Sequence, residues 1–119
     1  MLSPHSNLSQ RERETKLLSN GSEMLTHIVV WKYRTDTSLA EREEHVARLR
    51  SLSSIVPGIE SFSVGFDTLH LPRSYDMGLV AIFRERAALD AYTVHPDHVK
   101  VAEFGRGISD TAASVDFES

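Results

Sequence analysis

The chain has 119 residues, a formal net charge of -4 and no cysteine. That length holds one domain with a core of its own, and 17 acidic against 13 basic side chains, with no long basic run, exclude a nucleic-acid surface built from clustered Lys and Arg. Without cysteine there is no disulfide framework, thiolate metal site or thiol nucleophile, and apolar runs of only a few residues exclude a membrane-spanning helix. The polar N-terminus lacks the apolar core of a secretory signal, so the expectation is a cytoplasmic protein with neither nucleic acid nor membrane as partner.

Residues 1–23 are rich in Ser, Asn, Arg and Glu, with Pro4 near the start and Asn20-Gly21 near the end, and read as an N-terminal extension. One short helix over Leu8 to Leu18, capped by Ser9, fits this stretch. The domain is expected over residues 24–119. From Met24 a strand places Leu25, His27, Val29, Trp31 and Tyr33 on one side and Ile28 and Val30 on the other, both substantially apolar. Ser38-Leu39-Ala40-Glu41 is a capping box that opens a helix to about Ile55, with Leu39, Val46, Leu49, Leu52 and Val56 as its apolar stripe. Pro57-Gly58 ends it. Phe62, Val64 and Phe66 alternate with polar or small residues as a second strand. A third strand, about Tyr75 to Arg84, turns Met77, Leu79, Ala81 and Phe83 one way and Val80 and Ile82 the other. Helical stretches over 86–94 and about 97–106 follow, and Thr111 to Phe117 form the last strand.

The order strand, helix, strand, strand, helix, strand is the split βαβ arrangement of ferredoxin-like α+β folds, a four-stranded antiparallel sheet with helices on one face. The other face then needs a cover. We assign His27, Val29 and Trp31 to it, and a second copy covers it most economically, two sheets closing into a dimeric α/β barrel with the pocket inside each half.

The chemistry concentrates in Tyr92-Thr93-Val94-His95-Pro96-Asp97-His98. Tyr92 ends an apolar helical run, and Pro96 breaks the helix and constrains the backbone that carries His98. A neutral imidazole takes up a proton near neutral pH, and a nearby phenol donates to an oxygen where charge builds up. The competing assignment makes Tyr92 a core aromatic and His98 a helix cap. His95, before proline, caps or braces the turn. His27 is either a core histidine or a substrate contact, and His45, near Val46 and Leu49, is a boundary residue that looks toward the pocket mouth. A metal triad of His27, His95 and His98 is not favoured, because no carboxylate is evidently placed to complete it. No metal and no cofactor is expected.

The strand Thr26-His27-Ile28-Val29-Val30-Trp31-Lys32-Tyr33, the segment Ile55-Val56-Pro57-Gly58-Ile59, the run Ser74-Tyr75-Asp76 and above all Tyr92-x-x-His95-Pro96-x-His98 resemble the stress-responsive dimeric α/β barrel (Dabb) family. The resemblance covers about residues 24 to 117 and implies a homodimer of ferredoxin-like subunits. Some members are known as stress-response proteins. Others are similar to olivetolic acid cyclase, which closes a linear polyketide thioester by aldol chemistry without a cofactor. Carried over on that resemblance, Tyr92 and His98 form the catalytic pair and His27 lines the pocket; Val29, Trp31, His45, Leu49, Met77 and Leu79 are expected beside them as further substrate contacts. Met77 and Leu49 depart from the cyclase, which has a histidine and a tyrosine there. The resemblance implies a cofactor-free polyketide cyclase or lyase, its hydrophobic oxo substrate delivered by a polyketide synthase. A non-catalytic stress or ligand-binding protein and a small aromatic-substrate monooxygenase are the alternatives.

Overall fold

The computed structural model describes residues 23–119; the short helix expected over Leu8 to Leu18 lies outside them. Four strands, β1 (Leu25–Tyr33), β2 (Ile59–Phe66), β3 (Met77–Phe83) and β4 (Ser109–Glu118), alternate with three helices, α1 (Leu39–Arg50), α2 (Arg86–Val94) and α3 (Pro96–Ile108). The sheet order is β2-β3-β1-β4, every neighbouring pair antiparallel. This is the ferredoxin-like α+β fold expected from the element order.

The register decides which side chains share a face. Trp31 lies opposite Met77 and Ala112, Val29 opposite Leu79 and Ser114, and His27 opposite Ala81 and Asp116. That face carries the core: Leu25, Tyr33, Met77, Leu79, Ala81 and Phe83 are all buried, beneath Val46, Leu49 and Leu52, Ala88, Leu89 and Tyr92, and Val101 and Ile108. The assignment of His27, Val29 and Trp31 to the face without helices is therefore corrected. They point toward the helix layer. The face left open carries Thr26, Ile28 and Val30 with Val80, Ile82, Val115 and Phe117, of which Val80, Val115 and Phe117 are exposed. β1 is apolar on both sides, so its own alternation does not say which side meets the helices. The neighbours do: Trp31 packs edge-on against His45 of α1, ring centroids 5.0 Å apart, and on β4 Val115 and Phe117 turn the other way from Ser114 and Asp116.

Local signals set the element ends. Ser38 accepts a hydrogen bond from the Glu41 amide at 3.1 Å while the Glu41 carboxylate accepts from the Ser38 amide at 2.9 Å, so the capping box is formed. α1 ends at Arg50, short of the expected Ile55. The serine run explains the difference: the Ser51 hydroxyl donates to the Arg48 carbonyl at 2.6 Å, and beyond it the chain continues as tighter i to i+3 turns through Leu52 and Ile55. Leu39, placed in the apolar stripe, is 67% exposed at the first turn. Asp76 stitches the opposite end of the sheet, its amide donating to the Trp31 carbonyl and its carboxylate accepting from the Tyr33 amide, each at 2.8 Å. That bracket spans the register shift at Lys32/Tyr33.

Gly58 holds a φ of 92°, and its carbonyl accepts from the Arg84 amide at 2.8 Å. A Cβ there would come within 2.8 Å of the Ala88 Cβ. Gly58→Ala therefore meets both a disfavoured backbone region and a clash with α2. We expect it to lower stability by roughly 1–3 kcal/mol, read as a lower urea midpoint with an unchanged slope.

Candidate functional site

A cavity of about 460 Å³ opens between the helix face of the sheet and the three helices. β1 supplies His27, Val29 and Trp31, β3 supplies Leu79, and α1 supplies His45 and Leu49. Tyr92 and Thr93 come from α2, His98, Val101 and Ala102 from α3. The segment from Ser109 to Ser114 forms the wall along β4. Eight of the nine residues singled out from the sequence thus share one cavity. Met77 does not line it: it is a core residue, 2% exposed, turned in beside Trp31 and Phe66.

The break at Pro96 brings Tyr92 and His98 together. Proline cannot donate a backbone hydrogen bond, so α2 stops and α3 starts at once, with His95 as both the C-cap of one helix and the N-cap of the next. The His95 ring accepts from the Asp97 amide at 3.1 Å, so His95 is the capping residue and His98 is free of that task. The Tyr92 and His98 rings lie 4.5 Å apart between centroids, tilted by 45°. The His98 Nδ1 bonds the Thr93 carbonyl at 3.0 Å. A carbonyl only accepts, so Nδ1 carries the hydrogen and Nε2 carries the lone pair.

Burial sets the protonation states. It pushes the His98 imidazole below the ordinary histidine value, the bond to Thr93 opposing and the nearby His27 and His95 adding to the effect. The Tyr92 phenol, 1% exposed amid Phe62, Phe83, His27 and His98, is pushed well above the ordinary tyrosine value by the same desolvation. Around neutral pH the pair is a neutral base beside a fully protonated phenol.

Two features were not read from the sequence. Asp116 on β4 pairs with the Nδ1 of His27, so that imidazole too has its second nitrogen left as an acceptor when neutral. The partners are 89 residues apart, and only the β1–β4 register, which sets them opposite each other, reveals the pair. His45 is also not the boundary residue expected. It is 1% exposed, its Nδ1 lies 2.8 Å from the Tyr33 hydroxyl, and burial pushes it down to about 4. Among the described residues no group of three His, Asp or Glu side chains is placed to hold a metal ion, and no helix is long and apolar enough to cross a membrane.

This architecture, a ferredoxin-like sheet with a histidine-lined cavity under its helices, defines a class that comparison with known proteins makes specific. The family model of the stress-responsive A/B barrel domain matches residues 25–119, and the chain belongs to that family. Among solved structures it is similar to a dimeric ferredoxin-like protein of unknown function from Thermobifida fusca, with a TM-score of 0.76 and 21% identity over 82% of this chain and 92% of that one. It is also similar to the hydroxynitrile lyase of Passiflora edulis, TM-score 0.72 and 17% identity over 82% and 94%. A third is SnoaB, a cofactor-independent oxygenase from Streptomyces nogalater, TM-score 0.66 and 16% identity over 82% and 93%. At these identities the likeness is one of fold. No curated protein sequence matches the chain.

The buried histidines give the fold a pH dependence with a definite sign. A group whose folded pKa is depressed leaves the unfolded chain holding more protons, so stability is fully present above the unfolded value near 6.5 and is lost as pH falls toward the folded one. For His45 that window runs from 6.5 down to about 4. We expect the unfolding free energy to fall across this range, by up to about 3 kcal/mol from His45 alone, read as lower denaturant midpoints. Ring-proton NMR should show His45 neutral until close to pH 4.

Proposed function

We infer that the protein is a cofactor-independent enzyme that moves a proton on an oxo substrate, with His98 as the base and Tyr92 as the donor to the substrate oxygen. The observation that carries this reading is the Tyr92–His98 pair on one cavity wall, with the His98 Nδ1 committed to Thr93 and Nε2 left to accept. His98 Nε2 removes a proton from a carbon between two carbonyls. The electron pair moves to the carbonyl oxygen, which accepts a hydrogen bond from the Tyr92 hydroxyl; that phenol keeps its own proton because burial makes its ionisation costly. The enolate then attacks a second carbonyl of the same chain, and protonated His98 returns the proton to the new alkoxide. The result is a ring closed by aldol chemistry. Attack through the enolate oxygen on a thioester would close a lactone and expel the thiol.

The substrate class that fits is a polyketide-like chain, hydrophobic and rich in carbonyls, handed over by a polyketide synthase. The wall of Val29, Trp31, Leu49, Leu79 and Val101 suits such a chain, and His27, its Nδ1 paired with Asp116, has Nε2 to accept from an enol or hydroxyl of the substrate near the reacting carbon. Proton abstraction without a cofactor is consistent with the lyase and the cofactor-independent oxygenase among the similar folds. The oxygenase likeness supports a second reading, in which the same base ionises an aromatic substrate for reaction with oxygen.

The functional unit is a homodimer. Val80, Val115 and Phe117 on the open sheet face form, with Ile28, Val30 and Ile82, an apolar surface of the kind that monomers seldom leave in water. The Thermobifida fusca protein of similar fold is described as dimeric. Light scattering should give twice the chain mass, and Val115→Glu should halve it; a wild-type monomer would remove this assembly.

Deuterium wash-in at the acidic carbon of a diketide or triketide N-acetylcysteamine thioester tests the chemistry without knowledge of the natural product. His98→Ala should slow exchange and cyclisation by about 10²- to 10⁴-fold, and Tyr92→Phe by roughly 10- to 10³-fold, with the assembly unchanged. Full exchange activity in His98→Ala would remove the histidine from the mechanism. Binding of such thioesters with no exchange in the wild type would leave a ligand carrier.

A further inference from the structure

Two buried side-chain polar atoms lack a hydrogen-bond partner among the described residues, the Nε2 of His45 and the Oγ of Ser109. Both residues line the cavity. An unmatched buried polar atom costs about 1–3 kcal/mol, so two of them in one cavity call for an explanation. They also lie at the same end. Ser109 is opposite Tyr33 in the β1–β4 register, the Tyr33 hydroxyl bonds His45, and Gly105, one turn of α3 before Ser109, sits against the His45 Nε2. A Cβ on Gly105 would come within 2.6 Å of that nitrogen and 3.4 Å of the Trp31 Nε1. Glycine at 105 is what leaves room for both ring nitrogens.

The tautomer assigned to His45 takes the Tyr33 phenol as the donor. The Tyr33 phenol stays protonated, since burial raises it far above the ordinary tyrosine value, and its bonding partner is the His45 Nδ1 at 2.8 Å. With Tyr33 donating to Nδ1, the hydrogen of the neutral imidazole is on Nε2. The ring is fixed there by Trp31 at 5.0 Å, Tyr33 at 5.7 Å and Phe104 at 6.0 Å between centroids. The imidazole is therefore a rigid, uncharged donor, and Arg106, next to Gly105, and Asp110, next to Ser109, also line the cavity. This site is distinct from the Tyr92–His98 end. His27, in contact with Tyr92, and Trp31, in contact with His45, are four residues apart on β1, a separation of about 13 Å along a strand.

We propose that His45 and Ser109 form a polar subsite that binds a neutral oxygen, a hydroxyl or a carbonyl, at the far end of an elongated ligand whose other end reacts between Tyr92 and His98. The His45 Nε2–H donates to that oxygen, and the Ser109 hydroxyl either accepts its hydrogen or donates in turn. The ligand's inner end is thus oxygenated rather than a bare alkyl tail. His45 acts as a specificity-determining residue, remote from the reacting atoms. The proposal rests on the preceding reading only for which end reacts.

Equilibrium binding of two probes tests it independently of turnover: a phenylpentanol with a terminal hydroxyl, and pentylbenzene. The single tryptophan makes the Trp31 indole N–H a unique NMR reporter of this end. The wild type should bind the alcohol roughly tenfold more tightly than the hydrocarbon, with the Trp31 signal shifted. His45→Phe should remove the preference for the alcohol while still binding pentylbenzene, and Ser109→Ala should weaken it. Tyr92→Phe should leave it in place. Equal binding of alcohol and hydrocarbon by the wild type, or a preference that survives His45→Phe, overturns the subsite. Nitrogen chemical shifts of wild-type His45 provide a reading that needs no variant to fold: hydrogen on Nε2 supports the proposal and hydrogen on Nδ1 overturns it. If deuterium exchange fails while the alcohol preference holds, the reaction assignment falls and the subsite stands.

Discussion

Strand β1 lies between β3 and β4, and everything the cavity offers depends on how it is paired. Trp31 opposite Met77 and Ala112 sends His27, Val29, Trp31 and Tyr33 under the helices. A slip of one residue would reverse every one of those directions and put Ile28 and Val30 in their place. The pairing is held at one end by Asp76, which bonds the backbone of both Trp31 and Tyr33, and at the other by the Met24 and Ser119 amide and carbonyl groups, which bond each other at 3.1 Å. The two histidine environments are therefore products of a sheet register, with the helices closing over what the register presents.

Within that frame the same force, desolvation, does different work at different depths. At His98 it leaves a neutral base whose lone pair is directed by a single backbone carbonyl. At Tyr92 it keeps a phenol protonated. At His45, enclosed as fully as Tyr92, it makes a charge costly and leaves the ring a hydrogen-bonding group only. His27 differs again because Asp116 gives it an ionisable partner. Four chemically similar ring systems thus take separate parts in one cavity through burial and partner alone.

Much of this was legible in the residues. The alternation of Met77, Leu79, Ala81 and Phe83 marks a buried strand face, the Ser38–Glu41 box marks a helix start, and Pro96 marks the break that joins Tyr92 to His98. What was not legible depends on contacts between distant segments. An alternating pattern says which side chains share a face and is silent on which face meets the helices, so His27, Val29 and Trp31 were given to the wrong side. A seryl run after Arg50 carries no hydrophobic signal, yet the Ser51 hydroxyl bonds the Arg48 carbonyl where the helix ends. Met77 satisfies the same alternation as Leu79 but lies beyond the cavity end. His45 reads as an amphipathic helix position, and only Tyr33, twelve residues earlier, and Gly105, sixty residues later, make it a buried donor.

The β4 wall of the cavity is built unlike the rest. Residues 110 to 117 are exposed, and the stretch from Asp110 to Ser114 is made of small or polar side chains that contribute nothing to the buried core. A replacement there alters the shape and polarity offered to a ligand at little thermodynamic penalty, because surface substitutions usually shift stability by no more than about 0.5 kcal/mol. The opposite wall, Leu49, Leu79 and Tyr92, lies inside the core and cannot drift without disturbing it. Selection acting on such a scaffold has one compliant edge and one fixed one, so descendants of this chain can diversify in what they accept while the reacting pair stays where the fold holds it.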